Sequence, residues 1–379
     1  MPVQTEPDVT FLRRAIELAA RGGTAVRPNP QVGAVIVRDG EVLGEGFHHR
    51  AGAAHAEVEA IRAAGGRDLN GSTMYVSLEP CSHHGRTPPC TDAIRQAGIS
   101  RVVVAVEDPS DHASGRGLGI LRDDGIEVVV DDGELAQLAR LQNQPFRKRA
   151  RTGLPWVLFK SAMSLDGKVA TRSGDSRWIS GSQSRALVHQ WRATSDAIVV
   201  GIGTALSDDP LLTARAGGSE SEQLAEHQPR RVVFDSLARL PPTAKLLDSV
   251  AQAPLTVIVS RAAPRTATDA LEARGAEVIW ATGENEPARV RSALSQLGCA
   301  GVSALLLEGG PHLAGAFLEA DQIDEIRLFM APIVLGGRGS RDPLESEGVE
   351  NIESATRALQ FSHTQIGEDI LLIARMKEW

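Results

Sequence analysis

Two short stretches in the first third of the chain decide its fold: His55–Ile61, HAEVEAI, and Leu78–Cys90, LEPCSHHGRTPPC. The first supplies a histidine with a glutamate two positions later, and the second supplies two cysteines. One imidazole and two thiolates give Zn²⁺ three protein ligands and leave its fourth tetrahedral position open, whereas a closed structural site needs four. We therefore predict that His55, Cys81 and Cys90 bind zinc at a catalytic site.

Glu57 is the predicted proton carrier of this site. Zinc lowers the pKa of water from about 15.7 to near 7, which makes hydroxide available for attack on an electron-poor ring carbon. A neighbouring carboxylate can then carry the proton to a ring nitrogen and on to a departing amine. Residues two apart in a helix point about 200° apart, so His55 and Glu57 can converge only if His55 lies at a helix N-terminus. Cys90 is likewise expected to begin a helix, where the dipole favours a thiolate.

The order of these residues is that of zinc deaminases acting on bases, His-x-Glu followed by Pro-Cys and a second Cys. In this chain eight residues separate Cys81 from Cys90, in place of the usual two. The alternatives are a pair of buried cysteines beside a surface histidine, or a site that uses His83 or His84. We expect those two histidines to line the pocket mouth or to face solvent.

Helices and strands are predicted to alternate around these stretches. The expected helices are 8–20, 55–64, 91–97 and 131–149, and the expected strands are 32–37, 73–78, 101–106 and 126–130. Asp39-Gly40 predicts a hairpin turn after the first strand. This alternation indicates a three-layer α/β sandwich.

The predicted seam between two domains follows the basic run RKRAR at 147–151 and lies at 152–155, TGLP. A solvated helix end explains the basic run better than nucleic-acid binding does, because the chain is acidic overall. We place one domain at 1–150 and a second at 151–379.

The second half again alternates strands and helices, which predicts another α/β domain. Its expected strands are WVLFKSAM, AIVVG, RVVFD, LTVIV, AEVIW, ALLLE and EIRLFMAP, and its expected helices are 182–192, 268–274, 287–297 and 312–320. Gly201-Ile202-Gly203 begins like a dinucleotide fingerprint, but Leu206 occupies the third glycine position. Gly309-Gly310, between a strand and a helix, is a better candidate for holding a phosphate on exposed N–H groups. Cys299 is expected in the core.

Composition narrows the function. The chain has 379 residues, a formal net charge of -8 and 4% aromatic residues, which argues against broad attraction to nucleic acid or to an anionic membrane. No apolar run is long enough to span a bilayer, and the start lacks the apolar core of a signal peptide. Three cysteines cannot form a disulfide framework. We expect a cytoplasmic enzyme with a small-molecule substrate.

The strings RPNPQVGAVIV, HAEVEAI, LEPCSHHGRTPPC and SGRGL resemble the deaminase half of the bifunctional riboflavin-biosynthesis enzymes, in which a pyrimidine deaminase is fused to a reductase. The eight-residue spacing between the cysteines is typical of that family. The resemblance implies a cytidine-deaminase-like domain whose substrate is a diaminohydroxypyrimidine carrying a phosphoribosylamino group. Asn29 and His48 are similar to the family's pyrimidine-pocket residues. One departure is visible, since Ser110-Asp111 stands where the family usually has Asn-Pro.

The strings FKSAMSLDGKVA, SGDSRWIS, VGIGTALSDDPLLTAR, LLLEGGPHLAGAF and MAPIVLGG resemble the family's reductase half, whose fold is similar to dihydrofolate reductase and which uses NADPH. The resemblance implies cofactor contacts from Ala162, Trp178, Thr204, Asp208, Ser236, Gly310, Pro311, His312, Leu313, Ala314, Gly315 and Ala316. It implies substrate contacts from Ser176, Arg192, Leu212, Arg215 and Glu308.

The reaction implied for this half is hydride transfer from NADPH to C1 of the ring-opened ribose. Arg192 and Arg215 could each grip phosphate oxygens bidentately. Lys160 and Asp208 match charged positions of the family's site, and a lysine near the sugar could polarise the group being reduced. The family also implies a homo-oligomer formed through the reductase domain.

Two other functions remain possible on sequence grounds. One is a deaminase whose C-terminal half only binds a ligand, against which the intact TALSDDP and EGGPHLAG strings argue. The other is a nucleic-acid editing enzyme that uses the same zinc chemistry on a flipped-out base. Such an enzyme needs a basic, aromatic-lined groove, and the composition argues against one.

Overall fold

The computed structural model describes residues 5–83, 88–111, 113–217 and 223–379. The chain divides into two compact units, Met1–Gly153 together with Glu378–Trp379, and Leu154–Lys377. Within the described ranges, every helix is too short or too polar to cross a membrane.

The first unit is built on one mixed sheet. In chain order its elements are α1 (Glu6–Ala20), β1 (Gly33–Arg38), β2 (Glu41–Phe47), α2 (Ala56–Ala63), β3 (Thr73–Val76), α3 (Cys90–Gln96), β4 (Arg101–Val104), α4 (Arg116–Asp123), β5 (Glu127–Val130), α5 (Glu134–Gln142) and α6 (Gln144–Thr152). The strand order is β2-β1-β3-β4-β5, with β1 antiparallel to both of its neighbours and β3, β4 and β5 parallel. Asp39 and Gly40 both have positive φ, 51° and 80°, as the predicted tight turn requires.

Alternation along β1 separates the two helical layers. Ala34 and Ile36 pack into the core formed with α2, α3 and α4, whereas Val35 and Val37 pack into the core formed with α1 and α5. Successive strand residues point to opposite faces, so a strand that is apolar at every position must be covered on both sides. The expected three-layer sandwich is confirmed.

The single helix expected over 131–149 is wrong, because the chain breaks at Asn143 into α5 and α6. The Asn143 side chain accepts from the Gln31 N–H at 2.8 Å and donates to the Gln31 carbonyl at 2.9 Å. Pro145 stands in the first turn of α6, where its missing N–H costs nothing, although it would disrupt the interior of a longer helix.

The solvated helix end expected for the basic run holds for Arg151, which is exposed, but is wrong for Arg147 and Lys148. Arg147 and Lys148 are 3% and 1% exposed. The Arg147 guanidinium donates to a main-chain oxygen of Trp379 and to the main-chain carbonyl of Glu107. The Lys148 ammonium lies 5.4 Å from the centre of the Trp379 ring. Main-chain oxygens and an aromatic face therefore compensate the buried charges.

The second unit is built on a nine-stranded sheet. Its elements are β6 (Trp156–Ser164), α7 (Ser182–Ala193), β7 (Ala197–Gly201), α8 (Ile202–Asp208), β8 (Arg230–Phe234), α9 (Lys245–Asp248), β9 (Leu255–Val259), α10 (Arg265–Ala273), β10 (Glu277–Trp280), α11 (Glu286–Cys299), β11 (Ala304–Leu307), α12 (Pro311–Glu319), β12 (Glu325–Ala331), a 3₁₀ helix (Ile352–Ser354), β13 (Gln360–Ile366) and β14 (Asp369–Arg375). The strand order is β10-β9-β8-β7-β11-β6-β12-β14-β13. The strands from β10 to β12 in this order are parallel, and β14 and β13 add an antiparallel edge.

The predicted α/β class of this unit is confirmed, but α8, α9, the 3₁₀ helix and the hairpin formed by β13 and β14 were not predicted. β13 is a solvent-facing edge strand, so its sequence carries little of the hydrophobic alternation that marks a strand. Cys299, expected in the core, ends α11 and is exposed.

Candidate active sites

The three predicted zinc ligands come together in the first unit. The Nδ1 atom of His55 lies 3.2 Å from Cys90 Sγ and 3.4 Å from Cys81 Sγ, and the three ligand atoms all lie within 4.8 Å of one another. The part of the chain that the structure describes contains one such group. His83 is not a member of it, and His84 lies outside the described residues.

Two helix N-termini and a strand end position these ligands. His55 is the N-cap of α2, with extended backbone (φ -76°, ψ 163°), and Cys90 is the first residue of α3, both as predicted. Cys81 follows the end of β3. The α2 helix packs closely on β2, because a Cβ at Gly44 would lie 2.2 Å from the Ala60 carbonyl oxygen. Glycine at this strand position therefore sets how near the helix comes to the sheet.

The donor set fits zinc. Tetrahedral Zn²⁺ takes thiolate sulfur at about 2.3 Å and imidazole nitrogen at about 2.0 Å, which places ligand atoms about 3.5 Å apart. The hydrogen bond from the Cys90 thiol, assisted by one from His55, lowers the pKa of Cys81 to about 4. The same contact raises the pKa of Cys90. Cys81 is thus a ready thiolate ligand, and Cys90 must release its proton when a metal binds.

Glu57 meets the geometric condition set by its spacing. His55 caps α2, so Glu57 falls in the first turn and its carboxyl group reaches the cluster, where it contacts Cys90. The side chain is 3% exposed. Burial, followed by the negative charge of Cys81, raises the pKa of Glu57 to about 7. A carboxyl group that is buried beside the three ligand atoms can exchange protons with a ligand bound there.

His48 and Asn29 form a hydrogen-bonded pair next to the cluster. The His48 ring stands edge-on to the His55 ring, with centroids 5.5 Å apart. His48 Nδ1 lies 3.0 Å from the Ala54 carbonyl oxygen and must donate to it, so its Nε2 accepts from Asn29 Nδ2 at 3.1 Å. Burial lowers the pKa of His48, which favours this neutral form. An amide group has two N–H donors and one acceptor oxygen, so this bond uses one of the two Asn29 side-chain hydrogens.

Sequence reasoning missed Glu79, which organises the same site. Its carboxylate accepts three main-chain N–H groups, from Asp108 at 3.2 Å, Gly115 at 2.9 Å and Gly117 at 3.0 Å. It therefore ties the loop after β4 to the strand end that carries Cys81. A buried acidic residue after an apolar strand is a weak signal, because the partners lie 29 to 38 residues away.

The second unit contains a cavity of about 1230 Å³. It opens where β7, β8 and β11 end, the edge at which parallel α/β sheets bind ligands. Predicted residues that line it are Lys160, Ala162, Ser176, Trp178, Arg192, Thr204, Asp208, Leu212, Arg215, Ser236, Glu308, Gly310, Pro311, His312, Leu313 and Ala316. Ala314 and Gly315 do not line it, since Ala314 lies in the apolar core and a Cβ on Gly315 would lie 1.9 Å from the Glu345 carbonyl oxygen.

Arg192 and Glu308 form a buried ion pair in this cavity. Arg192 Nε and Nη2 donate to the two carboxylate oxygens at 2.6 and 2.8 Å, and Nη1 donates to the Thr213 carbonyl at 3.2 Å. Glu308 thus occupies one fork of the Arg192 guanidinium, and the bidentate phosphate contact of Arg192 stays a prediction. Burial lowers the pKa of Lys160 on the same wall, and the charge of Glu308 opposes that shift.

The remaining predicted residues of the cavity differ in their exposure and in their contacts with other side chains. Trp178 is 70% exposed, with the Arg185 guanidinium 4.5 Å from its ring centre. Asp208 accepts from the Ser207 hydroxyl at 3.0 Å, and His312 Nε2 lies 3.0 Å from Glu286. Leu212 is buried with a positive φ of 52°, so the backbone at this point of the cavity wall is strained.

Comparison with known proteins finds a family match for each half of the chain. Residues 5–106 match the cytidine and deoxycytidylate deaminase zinc-binding region, and residues 155–372 match the RibD C-terminal domain. The riboflavin biosynthesis protein RibD of Bacillus amyloliquefaciens is 40% identical over 97% of this chain and 96% of its own.

Two solved structures cover 98% of this chain and 99% of their own. Acinetobacter baumannii RibD is 38% identical with a TM-score of 0.84. A diaminohydroxyphosphoribosylaminopyrimidine deaminase/5-amino-6-(5-phosphoribosylamino)uracil reductase of Thermotoga maritima is 33% identical with a TM-score of 0.79. The similarity is continuous across both units and includes the zinc-binding region in which the His55, Cys81 and Cys90 side chains converge. The chain therefore belongs to the RibD family, the bifunctional enzymes of riboflavin biosynthesis that combine a zinc-dependent deaminase with a reductase.

Proposed function

We propose that the first unit removes an amino group by hydrolysis from 2,5-diamino-6-(5-phosphoribosylamino)pyrimidin-4-one. The observation that carries this assignment is the convergence of His55, Cys81 and Cys90 with the buried carboxyl group of Glu57. The Thermotoga maritima relative is named for a deaminase of this substrate class.

The residues of the first unit divide the work of deamination. Zinc, when bound, supplies a Lewis acid that makes water nucleophilic at neutral pH. Glu57 would carry the two protons of the attacking water in turn: the first goes to a pyrimidine ring nitrogen, and the second, taken from the hydroxyl group that has added to the ring carbon, goes to the amino group. The carbon–nitrogen bond then breaks, ammonia departs, and a carbonyl group remains. Asn29, held by His48, offers one acceptor and one donor to the edge of the pyrimidine.

We further propose that the second unit reduces the ribosyl side chain of the deaminated product with NADPH. A cavity of about 1230 Å³ exceeds the roughly 300–1,000 Å³ of a typical single-ligand pocket, so it has room for a dinucleotide beside a substrate. The N-terminus of α12 follows Gly309 and Gly310 at the wall of this cavity. Main-chain N–H groups at such a terminus attract phosphate, which supports the cofactor contacts proposed for Gly310 to Leu313.

The charged residues of the cavity are proposed to share the work of binding and reduction. Glu308 and Arg192 form a fixed pair that places one carboxylate beside Lys160. Lys160 is then the proton donor or polarising group for the atom that receives the hydride, while the cofactor supplies the hydride itself. Arg215 remains the proposed contact for the substrate phosphate.

The experiment that tests both assignments follows ammonia and NADPH separately. Glu57→Ala is expected to abolish ammonia release, to keep zinc bound, and to leave NADPH oxidation intact when the deaminated substrate is supplied. Glu59→Ala is the matched control, because that carboxylate pairs with Arg62 at 2.9 Å and not with the cluster. Ammonia release retained by Glu57→Ala would contradict the proton-carrier role. Absence of NADPH oxidation by the wild-type chain would favour a deaminase with a ligand-binding second unit.

We also infer that the enzyme acts in the cytoplasm and associates with copies of itself through the second unit. Both inferences rest on the family resemblance. Size-exclusion chromatography of the full chain and of a chain truncated after the first unit would test the association.

A further inference from the structure

Glu378 and Trp379 follow the second unit in the sequence but belong to the first unit. The main chain of Trp379 accepts from Gln144 Nε2 at 3.3 Å and donates to Gln144 Oε1 at 2.9 Å. The Glu378 carboxylate accepts from Arg140 Nε at 3.0 Å, and the Lys148 ammonium lies 5.4 Å from the centre of the Trp379 ring. Side chains of α5 and α6 therefore hold both residues in one defined place.

The Arg147 guanidinium connects this segment to the loop after β4. Its Nε donates to a main-chain oxygen of Trp379, and its Nη1 donates to the main-chain carbonyl of Glu107 at 3.2 Å. Arg147 is 3% exposed. Burial lowers its pKa to about 10, so the side chain keeps its charge near pH 7. A buried charge depends on its hydrogen-bond partners, so the removal of Trp379 leaves this guanidinium poorly held.

The peptide group between Glu107 and Asp108 is held on both sides. Its carbonyl oxygen accepts from Arg147, and its N–H donates to the Glu79 carboxylate at 3.2 Å. A peptide group is a rigid plane, so the contact with Arg147 fixes the orientation in which the N–H reaches Glu79. Glu79 stands two residues before Cys81. A continuous set of hydrogen bonds therefore links Trp379 to the strand end that carries a predicted zinc ligand.

We propose that Glu378 and Trp379 are positioning residues for the deaminase site. By holding Arg147 they set the peptide group between Glu107 and Asp108, and with it the loop that Glu79 ties to the metal site. Residues 1–153 alone are then an incomplete deaminase, because the last contacts that order this loop come from residues 378–379. This inference rests on the proposed deamination, and its test separates the two.

The kinetic test compares two ways of removing the same support. A chain that lacks Glu378 and Trp379 and the variant Arg147→Gln should each show about a tenfold fall in kcat/KM for ammonia release. The combined variant should lose no more than the more impaired of the two, because both changes act through one contact. NADPH oxidation on the deaminated substrate and bound zinc should not change. Arg151→Gln, the same charge change at an exposed residue of α6, is the matched control.

A spectroscopic readout separates positioning from general support of the fold. In the shortened chain the amide NMR resonances of Asp108 and Gly115, which both donate to Glu79, should shift, whereas those of Ala34 to Val37 in β1 should stay in place. A loss of global stability alone leaves the resonances of the folded protein unmoved. Unchanged resonances of Asp108 and Gly115, or full deaminase activity of the shortened chain, would overturn the proposal. If these resonances shift but the wild-type chain releases no ammonia, the proposed deamination fails instead.

Discussion

The three main-chain hydrogen bonds that Glu79 accepts make the deaminase site sensitive to a change of one atom. In Glu79→Gln an amide NH₂ group must replace one carboxylate oxygen. Oε2 accepts two N–H groups and Oε1 accepts one. The amide oxygen will therefore keep the Oε2 position, and the NH₂ group will face the N–H of Gly117, so that two donors oppose each other.

The expected magnitude follows from that single lost contact. A hydrogen bond to a charged group contributes about 1.5–3 kcal/mol, and the substitution also removes the charge from the two bonds that remain. We expect the loop to lose about 2–3 kcal/mol of its preference for the active conformation, which corresponds to a fall of about 30- to 150-fold in deaminase kcat/KM. The effect reaches the metal site because Gly117 packs against the Pro80 carbonyl, next to Cys81.

The assay compares two activities of one chain. Ammonia release should fall in Glu79→Gln, whereas bound zinc and NADPH oxidation on the deaminated substrate should not change. Glu107→Gln makes the same charge change at an exposed side chain of the same loop and should keep full activity. The reasoning is refuted if Glu79→Gln retains deaminase kcat/KM within about twofold of wild type.

Three other changes test separate parts of the structure. The hydrogen bond from Arg101 lowers the pKa of Asp8 to about 2. A carboxyl pKa that is lower in the folded state stabilises the fold above about pH 4, and this stabilisation is lost as the pH falls toward 2. Urea titrations should therefore show that Asp8→Asn is about 2 kcal/mol less stable than wild type at pH 7 and that the difference disappears on acidification. In Gly117→Ala the new Cβ would lie 2.1 Å from the Pro80 carbonyl oxygen, and melting of the first unit should show a loss of about 1–3 kcal/mol. Glu308→Gln leaves the buried charge of Arg192 poorly paired, and calorimetry should show a larger loss of stability than in Glu308→Gln/Arg192→Gln. A loss in the double variant equal to the sum of the losses in Glu308→Gln and Arg192→Gln would show that the pair is not coupled.

The zinc site could be predicted from short stretches of sequence. His55, Glu57 and the two cysteines could be predicted because each ligand stands beside a recognisable strand end or helix start, and the chemistry of zinc limits the combinations. The layered sandwich was predictable for a similar reason. A strand such as β1, apolar at four successive positions, requires cover on both faces.

Long-range contacts decided what the sequence could not predict. Asn143 interrupts a helical pattern because its side chain pairs with Gln31, more than a hundred residues earlier. The ion pair between Arg192 and Glu308 joins residues that are 116 positions apart. Glu79 and Arg147 likewise act through main-chain partners that no residue type reveals. In each case a polar side chain is satisfied by a segment distant along the chain.

The double burial of β1 has a consequence for how the first unit opens. The main-chain N–H groups of Ala34 to Val37 lie in a strand paired on both edges, by β2 and by β3, and covered by helices on both faces. Local fraying at one layer leaves the other layer in place. Exchange of these amides with deuterium should therefore require the whole unit to unfold, so their exchange rate measures its global stability, whereas amides at the solvent-facing ends of the helices exchange through small local openings.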